Sequence, residues 1–447
     1  MRIIIAGAGN VGFHLAKMLS NEAQDIVLVD NNSEALHYAE THLDVITLRG
    51  NATSPRVLRE ANVEAADMLI SVTSSETTNI TTSIVGKRLG AKQTIARISN
   101  PELLHCGNDI DFHSLGIDNL ISPEELAALE IERLVGSSAV SERADFGDGK
   151  LSLIGLHIPA NAPIRKKSVA EAAQMFPELS FMPVAILRNN RTIIPRGSTP
   201  FRVNDLAYFI VEPQYVDGVV EMVGKEMLEI RNIMILGGSG IGVNTARRIA
   251  NEYHVKLIEQ HKQKCFDLAD SLPRTLIING DGRNVELLEE EDISEMDAFI
   301  AVTGNSETNI MSCLVAKAHG VQKTIALVEN IDYINVSQTI GIDTMINKKL
   351  IAASNIFRYV RQGDVLNLTN ISGIIEAEVL EFVAHEGSRI TRKPIRKLGF
   401  PEKAIIGGVV RAGKGMTVLG DFQVQPGDRV VIFALPQAMR KVEALFK

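Results

Sequence analysis

The chain has 447 residues, of which 45% are hydrophobic and 22% charged, and its formal net charge is −8. That length exceeds a single hydrophobic core and fits roughly two to four domains. The acidic balance argues against nucleic acid as a partner, because phosphate neutralisation needs a basic face, and no run of about 18 apolar residues is present to insert into a membrane.

The chain opens on a strand without the basic segment of a leader, and its three cysteines (Cys106, Cys265 and Cys313) are scattered. Both features point to a reducing, cytoplasmic setting. Residues 3–7 form an apolar run closed by glycine, which predicts a buried parallel strand. Val11, Leu15, Met18 and Leu19 follow at helical spacing. Ile26–Val29 reads as a second strand with Asp30 at its end, then Ser33–Ala39 as a helix with Ser33 as N-cap. Val45–Leu48, Met68–Val72 and Thr94–Arg97 read as strands, separated by helices over Pro55–Ala61 and Glu76–Leu89. Asn119–Pro123 closes the series as a short strand before an exit helix, Glu124–Val135. Strands and helices alternating at this spacing predict a doubly wound parallel sheet over residues 1–136.

Near residue 140 the rhythm changes to short strands (Leu151–Ile158, Pro183–Leu187, Thr192–Pro195, Leu206–Val211) around one helix, Val169–Met175. Residues 137–215 therefore read as a small α+β domain, and 216–229 as a helical connector. The whole arrangement then recurs. Gly7, Gly50, Asp67, Thr73, Asn79, Gly90 and Ala96 reappear 230 positions later as Gly237, Gly280, Asp297, Thr303, Asn309, Gly320 and Ala326. Arg188, Gly197 and Asp205 reappear 223 positions later as Arg411, Gly420 and Asp428. The expected fold class is α/β: two tandem Rossmann-type sheets, 1–136 and 230–365, each followed by a small α+β domain, 137–215 and 366–447.

The chemistry-bearing motif is Gly7-Ala8-Gly9-Asn10-Val11-Gly12, lying between a strand and a helix, with Asp30 ending the next strand. Each glycine answers a separate physical demand. Gly7 permits the tight turn, Gly9 the close approach of backbone to a pyrophosphate, and Gly12 the packing of helix on strand. The helix start offers unpaired N–H groups and a partial positive charge to an anion. Asp30 is placed to accept from both hydroxyls of an adenosine ribose, and its charge would repel a 2′-phosphate. NAD(H) or another adenine nucleotide is thus favoured over NADP. In the second copy, Gly237-Gly238-Ser239-Gly240-Ile241 with Glu259 keeps the frame, but Ser239 replaces the middle glycine. Its Cβ and hydroxyl are expected to crowd the phosphate approach, leaving binding there weakened, altered or limited to a mononucleotide.

Loops at the carboxyl edge, where open α/β sheets hold ligands, add Asn51 with Asp281, Thr73 with Thr303, Ser74 and Arg97. The threonines can serve a ligand or simply cap helices. Leu327 stands where Arg97 does, which favours the first crevice. His105, Cys106, Asp109, Asp111 and His113 are a metal-like cluster, but a solvated segment is the commoner reading. Arg165–Lys167 and Arg392-Lys393 read as solvated basic faces, with partner docking as the rival reading.

The two glycine corners, Ala66–Thr73 with Asn79, Ile95–Arg97, Ala301–Thr303 with Asn309, and Ile405–Arg411 together resemble the TrkA family of Trk-system potassium-uptake regulators over essentially the whole chain. The resemblance implies two RCK units, each a Rossmann-type nucleotide domain plus a small RCK C-terminal domain. It also implies a homo-oligomer, a tetrameric gating ring, peripheral on the cytoplasmic face of the inner membrane beneath a Trk-type potassium channel subunit. NAD(H) and ATP or ADP are the ligands it implies. They would be held by Gly7–Val11, Asp30, Thr73, Ser74 and Arg97, and again by Gly237–Ile241, Glu259 and Thr303. The rival readings are an NAD-dependent oxidoreductase and a redox-sensing regulator. Against the first, neither small domain carries a polar cluster for proton relay, and HExxH, GxSxG, P-loop and CxxC motifs do not occur.

Overall fold

The computed structural model describes residues 1–20, 24–100, 102–105, 110–136, 140, 142–189, 191–225, 229–330, 333, 341–360, 365–370 and 378–447. In the first Rossmann-type sheet, β1 (Arg2–Ala6), β2 (Asp25–Asp30), β3 (Ile46–Arg49), β4 (Met68–Ser71), β5 (Gln93–Arg97) and β6 (Asn119–Ile121) lie in the order 3-2-1-4-5-6. All its pairings are parallel. Ile3, Ile4 and Ile5 are fully buried in succession, which follows from a sheet covered by helices on both faces. The predicted helices are present as Asn10–Ser20, Ser33–His42, Pro55–Glu60, Glu76–Arg88 and Pro123–Val135. One local reading is corrected. The N-cap of the second helix is Asn32, whose side chain accepts from the N–H groups of Glu34 and Ala35, so Ser33 is already the first helical residue.

The chain divides into two compact units, residues 1–129 with 347–361, and residues 130–346 with 362–447. In the first unit, helix Lys348–Val360, which lies far along the chain, packs on helix Asn10–Ser20. Lys348 Nζ there stands 3.7 Å from Glu124.

In the second unit, β12 (Asn232–Leu236), β13 (His254–Glu259), β14 (Thr275–Asn279), β15 (Ala298–Ala301), β16 (Lys323–Leu327) and β17 (Thr344–Ile346) repeat the same strand order. The same unit holds two five-stranded antiparallel sheets. One runs β10 (Arg191–Ile193), β9 (Phe181–Arg188), β11 (Leu206–Val211), β8 (Leu151–His157), β7 (Glu142–Phe146). The other runs β18 (Val365–Asn370), β19 (Glu378–Val383), β22 (Arg429–Ala434), β20 (Ala404–Arg411), β21 (Lys414–Met416). Strand β7 was not expected from the sequence, because Glu142, Arg143 and Asp145 mask the alternation. The connector helix is Val216–Met222 and ends before Gly224, shorter than the expected 216–229.

The two small sheets share one core, in which Phe146, Tyr208 and Ile210 meet Val379, Val431 and Phe433. The arginine and aspartate that repeat at the 223 spacing form equivalent ion pairs. Arg188 grips Asp205 through two hydrogen bonds of 2.7–2.8 Å, and Arg411 grips Asp428 in the same way. Both aspartates are only 1% exposed, so the repeat preserves a buried bidentate pair at each small domain.

Candidate functional site

The strand order reverses between β1 and β4, the place where open α/β sheets form their ligand crevice. Gly7 ends β1 with φ +115°, and a Cβ there would lie 2.9 Å from the backbone N of Thr73 at the end of β4. A Cβ on Gly12 would lie 1.8 Å from the Gly7 carbonyl oxygen. Both glycines are therefore demanded by the chain itself. Gly9 differs: among the described residues nothing lies within 4 Å of a Cβ placed on it. Among the described residues no side chain accepts from the N–H groups of Gly9, Asn10 and Val11 at the helix start.

Asp30 closes one side of this corner. Its Oδ2 accepts from Ala8 N at 2.6 Å and its Oδ1 from Asn32 N at 2.8 Å. A carboxylate offers about four lone-pair sites, so two remain. Gly50 N donates to the Asp30 carbonyl (2.9 Å), which brings the Asn51 loop alongside. The Asn51 side chain closes its own turn by accepting from Thr53 N and Oγ1.

At the β4 edge the Thr73 hydroxyl is hydrogen-bonded within the chain. Its backbone N–H and its Oγ1 both donate to Asn79 Oδ1, at 2.8 and 2.7 Å. Asn79, 1% exposed, returns its own Nδ2 protons to the carbonyls of Thr73 and Arg97. It thereby ties β4 to β5 and fixes where Arg97 begins. Glu76 tightens the same corner by accepting from the N–H groups of Ser99 and Asn100, which hold its carboxyl below the usual range. Ser74 is exposed, and Arg97 is half-buried with no carboxylate paired to it among the described residues. Asn79 and Glu76 were not singled out as site residues. Asn79 left a trace in the sequence, since it recurs with Thr73 at the 230 spacing.

The second corner has the same backbone and different chemistry. Gly237 has φ +107°, and a Cβ there would lie 3.0 Å from Thr303 N. Asn309 repeats the clamp, accepting from Thr303 N and Oγ1 and donating to the carbonyls of Thr303 and Leu327. Ser239 turns its hydroxyl inward. Oγ donates to the Val302 carbonyl at 2.7 Å and accepts from Gly242 N at 3.3 Å, so it caps the helix Gly240–Ile249 that follows.

Glu259, 6% exposed, is surrounded by donors. Oε1 accepts from His261 N at 2.9 Å and from the His261 ring Nδ1 at 2.8 Å. Oε2 accepts from Gly238 N at 3.2 Å and lies 3.3 Å from Lys264 Nζ. Burial pushes this carboxyl up, but the His261 donors and the Lys264 ammonium outweigh it and hold the pKa at about 2. The longer acid also dictates its neighbour, because a Cβ on Gly238 would lie 2.9 Å from Glu259 Oε2; alanine occupies that position beside the shorter Asp30. Asp281 is engaged as well, paired with Arg283 at 2.7 Å. Of the metal-like cluster, Cys106, Asp109 and the His105 side chain lie outside the described residues. Asp111 caps a turn by accepting from His113 N and Ser114 N.

A Rossmann-type sheet with a glycine corner, present twice and alternating with a small antiparallel domain, defines a tandem RCK-type chain. Residues 3–123 and 233–348 match the TrkA-N domain, and residues 153–224 and 379–447 match the TrkA-C domain. The chain belongs to the TrkA family of Trk-system potassium-uptake proteins. The Trk system potassium uptake protein TrkA of Halomonas elongata is 32% identical over 452 residues, covering 100% of this chain and 99% of that protein. The protein of the same name from Vibrio alginolyticus is 33% identical over 454 residues, with the same coverage. Among solved structures, the GsuK RCK domain matches with a TM-score of 0.60 at 16% identity, covering 100% of this chain and 94% of that one. The GsuK channel bound to NAD matches with a TM-score of 0.61 at 16% identity, covering 100% and 78%. At such identity the likeness concerns the fold alone. No helix among the described residues is long and apolar enough to cross a membrane.

Proposed function

We propose that the protein is the nucleotide-sensing regulatory subunit of a Trk-type potassium uptake channel, and that occupancy of its first crevice is the signal. The observation that carries this reading is Gly9. A Cβ at Gly9 would meet nothing among the described residues, so glycine there answers to something that approaches from outside. The adjacent N–H groups of Asn10 and Val11 suit a pyrophosphate, and the two remaining lone pairs of Asp30 suit a ribose diol. NAD(H) or ATP/ADP would be held by Gly7, Ala8, Gly9, Asn10, Val11, Gly12, Asp30, Asn51, Thr73, Ser74 and Arg97. Thr73 contributes backbone and rigidity rather than its hydroxyl. Gly237–Ile241, Glu259, Asp281 and Thr303 form the second crevice. The groups at the first crevice hold and orient, which fits a sensor better than an oxidoreductase.

In this reading the four domains, 1–136, 137–215, 230–365 and 366–447, assemble with other copies into a tetrameric ring on the cytoplasmic face of the inner membrane. Ligand biases the ring by its differential affinity for two states, and a hundredfold preference amounts to about 2.7 kcal/mol per site. Calorimetry of the full chain tests it: NADH or ATP should bind the wild type, and Asp30→Ala should weaken that binding at least about tenfold while leaving the circular dichroism spectrum unchanged. Unaltered affinity would refute the site. Oxidation of NADH with carbonyl substrates would favour the enzyme reading instead. Nucleotide-dependent co-purification with a potassium-channel subunit checks the partner.

A further inference from the structure

The two crevices differ in how much acceptor capacity their acidic residue has left. Asp30 takes two backbone donors and keeps two lone pairs. Glu259 takes four donors, one from Gly238, two from His261 and one from Lys264, so its capacity is full. We propose that His261 and Lys264 are the specificity-determining residues of the second crevice: they saturate Glu259 and so withhold it from the adenosine ribose diol of a nucleotide such as NADH. This inference rests on the nucleotide reading above and deepens it for the second site.

The chemistry follows from the donor set. A ribose brings two hydroxyls, each seeking an acceptor. At Asp30 they find vacant lone pairs. At Glu259 they must displace an ammonium and an imidazole N–H, exchanging an ion pair and a hydrogen bond already made for hydroxyl donors that carry no charge. Ser239 acts in the same direction by occupying Gly242 N, one of the donors at the helix start. The first copy supplies the control within the same chain. Aligned on the two acids, Asn32 stands where His261 does and Ala35 where Lys264 does. Neither adds a side-chain donor to Asp30, since the Asn32 side chain faces forward to cap its helix.

The test installs those residues as His261→Asn with Lys264→Ala. The exchange is expected to fold, because His261 makes no side-chain cap for its helix whereas asparagine in the first copy does. Titration calorimetry of the full chain with NADH reads the stoichiometry. The expected results are one NADH per wild-type chain and two per chain of the double variant. In an Asp30→Ala background, binding should be restored by adding the double exchange. Two NADH per wild-type chain, or a double variant that stays at one, would overturn the assignment of His261 and Lys264 while leaving the first-crevice reading intact. No binding of NADH to either protein would overturn this inference, and no binding of ATP as well would remove the nucleotide reading with it.

Discussion

Lys323 allows a prediction whose size can be worked out. It begins β16, is 2% exposed, and donates its Nζ to the Val140 carbonyl at 2.9 Å. Around it, among the described residues, stand Lys225, Lys317 and His157 with one carboxylate, Asp343, which already pairs with Lys317 at 2.7 Å and accepts from Thr324 N and Oγ1. Burial, with Lys225 and Lys317 adding to it against Asp343, lowers the Lys323 pKa from 10.5 to about 8. Burial likewise lowers His157 to about 4, so its ring is neutral near pH 7. Gln93 occupies the position of Lys323 in the first copy, which makes Lys323→Gln the natural comparison.

Below pH 8 the folded and unfolded chains both carry the proton, and stability is flat in this group. Between about 8 and 10.5 the unfolded chain keeps a proton that the folded chain has lost, so stability rises with pH. It is lost again as pH falls through 8. The slope is about 1.4 kcal/mol per pH unit, and the full window amounts to about 3 kcal/mol. Urea unfolding of wild type and Lys323→Gln at pH 7, 8 and 9.5 should give parallel values at the two lower points. At pH 9.5 the wild type should have gained about 2 kcal/mol relative to the variant. A 13C titration of the lysine side chains should show one signal moving near pH 8 that the variant lacks. Curves that stay parallel to pH 9.5, or no such signal, would refute the argument that this ammonium is buried without enough opposing charge.

Three further outcomes follow from the site and the small domains. Gly9→Ala should fold with an unchanged melting temperature yet lose nucleotide affinity at least about tenfold, whereas Gly12→Ala should lose several kcal/mol of stability, because only the second Cβ collides with the chain; thermal unfolding beside calorimetry separates them. Asn79→Ala strands the Thr73 N–H and the Arg97 carbonyl, so a loss of about 2–3 kcal/mol is expected together with weaker nucleotide binding, read by the same pair of assays. Arg188→Ala leaves Asp205 buried without its partner and should cost about 3–5 kcal/mol, with Arg188→Lys recovering only part; denaturant midpoints with Asp205→Asn as companion would check it.

Strands β1, β2, β12 and β13 were readable because each is a short apolar run, mostly buried, that ends at glycine or an acid. The glycine corners and Asp30 were readable because their spacing reflects backbone geometry. What resisted reading was direction. A threonine at a strand end has the same letter whether its hydroxyl meets a ligand or Asn79. Helix Lys348–Val360 carries an apolar stripe, but the stripe does not say that it covers helix Asn10–Ser20. Ser33 and Asn32 both make good caps, and only the path of the chain selects Asn32. Glu259 was legible as an acid at the end of β13. Its saturation was not, because His261 and Lys264 sit two and five residues on, where any helix start tolerates them.

The substitution at the second corner falls where physics allows it. Of the three positions in each corner, the first needs φ near +110° and the third cannot hold a Cβ against a carbonyl oxygen 1.8–2.0 Å away. Both keep glycine in both copies. The middle position is bound by no contact in the first copy, and serine stands there in the second, used as a helix cap. Where a residue is required by the fold, duplication cannot release it. Where no contact among the described residues requires it, as at the middle position, a second copy can change it and keep the sheet. Glu259 shows the same contrast on the other side of the crevice: it accepts from Gly238 and His261 and pairs with Lys264, so its acceptor capacity is taken up by the chain itself.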